Sequence, residues 1–360
     1  MPSLARFVVA ALVVLAYPLV DRALGLGTLG AMLPILIYVM LALGLNIVVG
    51  YAGLLDLGYA AFFAIGAYTT AFLTSPQSVL VKAGVQTSFW VALVASFFVA
   101  ATFGVILGTP TLRLRGDYLA IVTLAFGEIV PRVFLNLEKV TGGSKGLNPI
   151  GRPSIGGYEL GFDQLPWYYL IVLVGTASIW AILRLYDSRL GRAWIAIRED
   201  ELAAGSLGIN LVSTKLLAFA LGASFAGFAG SLFASIFQFI DPFQFDFSIS
   251  ILVLSMVILG GLGNVWGVMV GGVLMASFDR IFAERLTDWI HRLGGALGAP
   301  ILGAIDLGSS RMMVFGLALV TMMLLRPEGM FPSARRRQEM HEAPDAAFPA
   351  EAVAYEERPA

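Results

Sequence analysis

Apolar residues in this chain keep neither the two-residue period of a half-buried strand nor the one-sided stripe of a surface helix. They run on, uninterrupted by a polar face, from Phe7 nearly to Leu325. A helix needs roughly 20 such residues to cross the ~30 Å hydrocarbon layer. The runs predict spans at Phe7–Val20, Leu29–Val49, Leu57–Leu73, Ser88–Thr109, Tyr118–Leu135, Trp167–Leu185, Leu216–Phe237, Ile249–Gly260, Val265–Phe282 and Met312–Leu325. Because the runs do not alternate, outer-membrane barrel strands are excluded and helices remain. The expected fold is all-α, a polytopic transmembrane bundle of about ten spans. Several spans are short and bordered by glycines such as Gly260, Gly261 and Gly263, so broken or re-entrant helices are expected. The first run lacks a small-residue cleavage site before Asp21 and Arg22, and is read as a retained span rather than a signal peptide.

Composition agrees: 58% of the residues are hydrophobic and 13% charged, too few to clothe a water-facing surface. With no cysteine, and with His291 and His341 both outside the apolar runs, thiolate, redox and metal chemistry are not expected. A net charge of -1 gives no field for nucleic acid.

Lys and Arg near the span ends set the orientation. Arg184, Arg189, Arg192, Arg198 and Lys215 crowd one loop, Arg113 and Arg115 lie in another, and Arg326, Arg335, Arg336 and Arg337 follow the last span. These regions are expected to be cytoplasmic, with both termini inside and the loops at 136–166, 238–248 and 283–311 outside. Residues 1–332 form the membrane domain, including a cytoplasmic loop at 187–213, and 333–360 read as a disordered cytoplasmic tail.

The loop DSRLGRAWIAIREDELAAGSLGIN, Asp187–Asn210, is polar yet helix-forming. Ala203, Ala204 and Gly208 keep its bulk low, so it can approach another protein closely. Arg192, Arg198, Glu199, Asp200 and Glu201 surround these small residues with charges of both signs, which suits a specific interface. The competing reading is an ordinary solvated loop.

This segment resembles the coupling loop of the high-affinity branched-chain amino-acid permeases in the ATP-binding-cassette importer superfamily. The superfamily signature is Glu-Ala-Ala, three residues, then Gly. Here Ala203, Ala204 and Gly208 match it, Leu202 stands where the glutamate is expected, and Glu201 lies one place earlier. The resemblance continues in family order through GLNIVVGYAGLLDLGYAAFFAIGAYTTAFL (Gly44–Leu73), RLRGDYLAIVTLAFGEI (Arg113–Ile129), TGGSKGL (Thr141–Leu147), MVILGGLGNVWGVMVGG (Met256–Gly272) and LLRPEGMFP (Leu324–Pro332). It implies the larger of two paired permeases in the bacterial inner membrane. It further implies a second, homologous permease, two cytoplasmic ATPases coupled through the Arg189–Asn210 loop, and an extracytoplasmic solute-binding protein.

Within these segments Asn46, Asp56, Tyr59 and Glu128 are the candidates for a translocation pathway, since polar groups at membrane depth normally face protein or water. Asp56 has a second reading, as a cap for a helix starting near Leu57. Glu128, ahead of Pro131, either satisfies backbone that the proline frees or lines a passage. Tyr51, Tyr59 and Tyr68 are equally ordinary interhelical hydrogen bonders. The aromatic run Phe237–Phe247 reads as an interface anchor. The chain has no G-x-x-x-x-G-K-[ST] loop, so this subunit is expected to bind no cofactor, with ATP used by its partners. The expected function is the permease half of an ATP-driven importer for branched-chain or related amino acids. The alternatives are the same machinery carrying urea or short amides, and an ion-coupled secondary transporter. An intramembrane enzyme lacks any paired acid, base or nucleophile within the spans.

Overall fold

The structure, a computed structural model, describes residues 14–25, 27–111, 117–297, 308, 310–326 and 329–331. After a helical stretch at 14–24, the helices of more than four residues are α1 (Leu29–Leu45), α2 (Tyr59–Thr74), α3 (Phe89–Thr111), α4 (Asp117–Asn136), α5 (Gln164–Tyr186), α6 (Arg189–Glu199), α7 (Glu201–Ser206), α8 (Leu211–Phe237), α9 (Phe247–Gly260), α10 (Val265–Ser277), α11 (Ala283–Leu297) and α12 (Arg311–Leu325). Segments of π-helix, Asn46–Tyr51 and Phe278–Phe282, prolong α1 and α10. A two-residue hairpin, Ser154–Ile155 with Tyr158–Glu159, holds the named strands among the described residues.

Seven helices among the described residues are long and apolar enough to cross a membrane, where hydropathy alone drew ten spans. The difference has identifiable sources. Helix α2 has 16 residues and α12 has 15, and the first expected span lies partly outside the described residues. The described part of that span is helical and packs on α5, where the Tyr168 hydroxyl donates to the Val14 carbonyl at 2.6 Å. Arg113 and Arg115, and the tail at 333–360, also lie outside the described residues.

The bundle is built around α8, which packs against α1, α2 and α3. Helix α1 is apolar on every side, and 89% of its most apolar window is buried, against 22% for α4 at the periphery. In lipid, apolar side chains gain little by leaving one apolar medium for another, so inner helices associate through close backbone contact at small residues. Gly227 of α8 is the clearest case. A methyl group there would run into the Ser96 carbonyl of α3, while one on Gly66 of α2 would run into the Gly227 backbone. Further along α8, Gly222 faces Val48 of α1's π extension and Gly230 faces Phe63 of α2.

Helix α8 begins at Leu211, five residues before the expected Leu216, because the Asn210 side chain caps it by accepting from the Ser213 amide at 3.1 Å. The loop expected at 283–311 opens instead with α11, which continues without a break from the π segment. Its sequence AERLTDWIHRLGGAL is amphipathic, burying Ala283 and Thr287 while Leu286 and Trp289 are exposed. Such a two-sided pattern has low mean apolarity, which is why hydropathy alone read the segment as a loop. The aromatic run Phe237–Phe247 is also corrected in part. Phe245 is fully buried and packs edge-on against Phe63 at 5.2 Å, so it plugs the core, while Phe243 is exposed. In Thr141–Leu147 the chain reverses tightly, with Gly142 at φ 78° and Gly146 at φ 66°, a left-handed backbone that side chains disfavour. Leu147 then bridges Ile240, tying this loop to the end of α8.

Candidate functional site

The polar segment 187–210 folds as two short helices at the α8 N-terminus. Ser188 starts α6, its hydroxyl accepting from the amides of Leu190 and Gly191, and Asp200 starts α7 by accepting from Leu202 and Ala203. From beneath, the pair is fastened at several points. Trp194 is fully buried and donates its indole N–H to the Thr214 carbonyl at 2.8 Å. Arg198 turns inward, its Nη1 donating to the Gly50 carbonyl at 2.7 Å while its stem packs on Gly53. Lys215, with 6% of its side chain exposed, pairs with Glu201 at 2.7 Å. With water largely excluded, such a charge-assisted contact is stronger than a surface ion pair.

Several segments distant in sequence converge here. The Gly263 amide donates to Asn46 Oδ1 at 2.9 Å, joining the π end of α1 to the α9–α10 turn. The Met330 amide donates to Leu259 at 2.8 Å, and Asn264 Nδ2 donates to the Phe331 carbonyl at 2.7 Å, which brings the stretch after α12 onto the same turn. Stretches of the Gly44–Leu73, Met256–Gly272 and Leu324–Pro332 segments thus meet against α6.

The outward surface differs from the one the charge pattern suggested. Arg192 donates to the Asp187 carbonyl at 2.9 Å, and Asp200 is occupied as a cap. Ala204 is buried inside the chain's own fold, whereas Ala203 is exposed and Gly208, at φ 86°, stands clear of neighbouring atoms. Glu199 is exposed. The prominent groups are Leu202, 70% exposed, and Leu207, 82% exposed. Charge-led reading missed both. Which of the loop's apolar residues point outward was not legible from its sequence, because Trp194 and Ile197 are buried while Leu202 and Leu207 are exposed.

The interior candidates separate. Asn46 and Asp56 are fully buried, and Tyr59 is buried with its hydroxyl donating to the Gly222 carbonyl at 2.7 Å. Asp56 does not cap α2 as a helix N-cap does. Its Oδ1 accepts from the Gly58 amide at 2.9 Å in the turn before the helix, while side chains from other helices satisfy the neighbouring amides: Thr123 takes Leu57 and Ser250 takes Ala60. Among the described residues, the second Asp56 oxygen, the Asn46 amide nitrogen and the Tyr68 hydroxyl are buried without a hydrogen-bond partner. Glu128, by contrast, is not buried. Its side chain is 46% exposed on the outer face of α4 and pairs with Arg132, 75% exposed, at 3.3 Å, so it does not serve backbone freed by Pro131. Together with Gly127, Pro131 and Asp246 it lines a cavity of about 420 Å³ at the flank of the bundle.

Apolar helices closed on one another through glycines, with a braced helical platform at one end, define a multi-pass membrane protein. The chain belongs to the family described as branched-chain amino acid transport system / permease component, which it matches over residues 27–292. It is similar to the high-affinity branched-chain amino acid transport system permease protein LivM of Salmonella typhimurium, with 39% identity over 322 residues, 83% of this chain and 69% of that protein. Against LivM of Escherichia coli the identity is 38% over 353 residues, covering 91% of this chain and 75% of the relative. A more distant likeness, 26% over 266 residues, covers 69% of this chain and 83% of the permease protein LivH of Salmonella typhimurium. No solved structure matches the chain.

Proposed function

We propose that this chain is one of two homologous permease subunits in an ATP-driven importer for branched-chain amino acids. Two cytoplasmic ATPases would engage the α6–α7 platform, and a binding protein would deliver solute at the opposite end. In this reading the chain makes about ten crossings of the bacterial inner membrane, counting α2, α12 and the helix at 14–24, with both ends on the cytoplasmic side. Likeness to both LivM and LivH supports a paired assembly.

The platform carries the proposal. Its apolar tips, Leu202 and Leu207, face outward while its base is tied to two membrane elements. Arg198 grips the π end of α1 and Glu201 grips Lys215 of α8, and Asn46 in turn links α1 to the α9–α10 turn. A push on the tips would therefore move these helices as a rigid body, the kind of step that nucleotide binding biases. Replacing Leu207 with Asp should abolish co-purification of the ATPases while leaving the permease membrane-inserted and as heat-stable as the parent. Undiminished co-purification would place the docking surface elsewhere.

The Glu128–Arg132 pair supports a location for the second permease. Charged side chains within a membrane segment face protein or water rather than hydrocarbon, so this face of α4 belongs to the subunit interface or to the passage between the subunits. Glu128→Gln should leave assembly intact and slow uptake severalfold in reconstituted vesicles. Full uptake by the variant would remove Glu128 from the passage. Uptake driven by an ion gradient with the ATPases absent would favour a secondary transporter instead.

A further inference from the structure

At the end of the bundle opposite the platform lies a second cavity, of about 360 Å³, walled by α1, α8, α9, α12, the Pro242–Phe245 turn and the π segment that follows α10. Its volume falls within the range of small-molecule sites, and its lining is divided in an unusual way. One side carries a cation. Arg280 donates from Nη2 to the Tyr38 hydroxyl at 2.8 Å, and its Nε faces Asp279 at 3.3 Å. Among the described residues its Nη1 makes no hydrogen bond, although only 38% of the side chain is exposed. Another side carries acceptors. Asp246 receives the Ser248 hydroxyl on Oδ2 alone, at 2.8 Å, and the Gln244 amide oxygen is buried without a partner. Buried Phe233, Leu252 and Phe315 supply the apolar wall.

Neither an apolar occupant nor a simple anion suits this lining. An apolar molecule would leave Arg280 Nη1 and the buried Gln244 oxygen without partners, at a desolvation cost. An anion would meet Arg280, whose Nε is paired with Asp279, but would face the exposed carboxylate of Asp246. A zwitterion with an aliphatic side chain uses everything: its carboxylate meets Arg280, its ammonium meets Asp246 and Gln244, and its side chain meets the aromatic wall. The π segment fits the same purpose. The extra residue in its turn sets Asp279 and Arg280 at the end of a span, and such bulges recur at functional sites.

We infer that this cavity is a binding subsite for the α-amino and α-carboxylate groups of the transported amino acid, occupied after the binding protein releases it. The inference rests on the importer reading given above. It is tested on the assembled importer, permease pair with ATPases, in nanodiscs without the binding protein, by equilibrium binding of radiolabelled L-leucine, L-isoleucine and L-valine. Saturable binding is expected. Isopentylamine and 4-methylpentanoate, each lacking one charged end, should compete at least about tenfold more weakly than leucine, because each forgoes a charge-assisted contact. Arg280→Gln and Asp246→Asn should each weaken leucine binding by a similar factor. If Arg280→Gln fails to assemble, Tyr38→Phe and the exposed Asp246→Asn carry the test. Binding unchanged in those variants, or analogues competing as well as leucine, overturns the subsite. Absence of saturable binding overturns it too, if the same purified importer, reconstituted in closed vesicles and supplied with binding protein and ATP, takes up leucine. Failure of ATP-driven uptake for every amino acid tried would instead count against the importer reading.

Discussion

Replacing Trp194 with alanine should loosen the fold of the permease and, on the importer reading proposed above, uncouple it from the ATPases at the same time. The indole is fully buried between the platform and the start of α8, and its N–H is spent on the Thr214 carbonyl. Emptying such a site typically costs about 3–5 kcal/mol. The cost would fall on the contact that seats α6 on the bundle, leaving Arg198 and Lys215 as the remaining fasteners. The expected result is a marked drop in the unfolding temperature of the detergent-solubilised protein, together with loss of leucine-stimulated ATPase activity in the assembled importer. Trp194→Phe separates the two contributions. It retains most of the packing and forgoes only the hydrogen bond, worth about 0.5–1.5 kcal/mol, so it should recover most of the stability. An alanine variant with parental thermal stability and parental coupling would show that the platform is held by other means.

The other large effect is expected at the centre of the bundle. Gly227 lies where α8 crosses α3, and a side chain there would run into the Ser96 carbonyl and Ala100 of α3. Backbone cannot move aside as a rotamer can. Gly227→Leu should therefore force α8 away from α3 and abolish accumulation of folded permease in the membrane. Overpacking a tight core commonly costs about 1–3 kcal/mol, and contact with rigid backbone puts this site at or above that range. Gly175→Leu on α5 is the matched control, since nothing lies within 4 Å of where its side chain would begin. The prediction is checked by fluorescence-detected size-exclusion of tagged variants. A monodisperse Gly227→Leu peak at parental yield would contradict the packing described.

These expectations come from different depths of the molecule, and so does what the sequence revealed. Hydropathy was sufficient to establish a membrane protein and to find nearly every helix, because lipid demands long apolar segments with internally satisfied backbone. It could not see that α2, at 16 residues, is an inner helix whose first amides are served by Thr123 and Ser250 from other helices. Nor could it see α11, since that helix is marked by amphipathicity rather than by mean apolarity.

The motif at Ala203, Ala204 and Gly208 located the platform, yet composition could not say which residues point outward. Ala204 turned in, Arg198 became an anchor, and the exposed tips proved to be Leu202 and Leu207. Which side of a helix is spent on its own fold depends on neighbours that packing brings against it, here Gly50 from far away in the chain and Thr214 and Lys215 from the next helix. The same holds for the carboxylates. The sequence presents Asp56 and Glu128 as alike, one acidic residue each in an apolar setting. Tertiary packing buried the first beside Gly58 and left the second on the flank of α4 with Arg132. Class and family were thus written in the order of residues along the chain, because bilayer crossing and short motifs are local properties. Which residues are left available to a partner or a solute was decided only when the helices closed on one another.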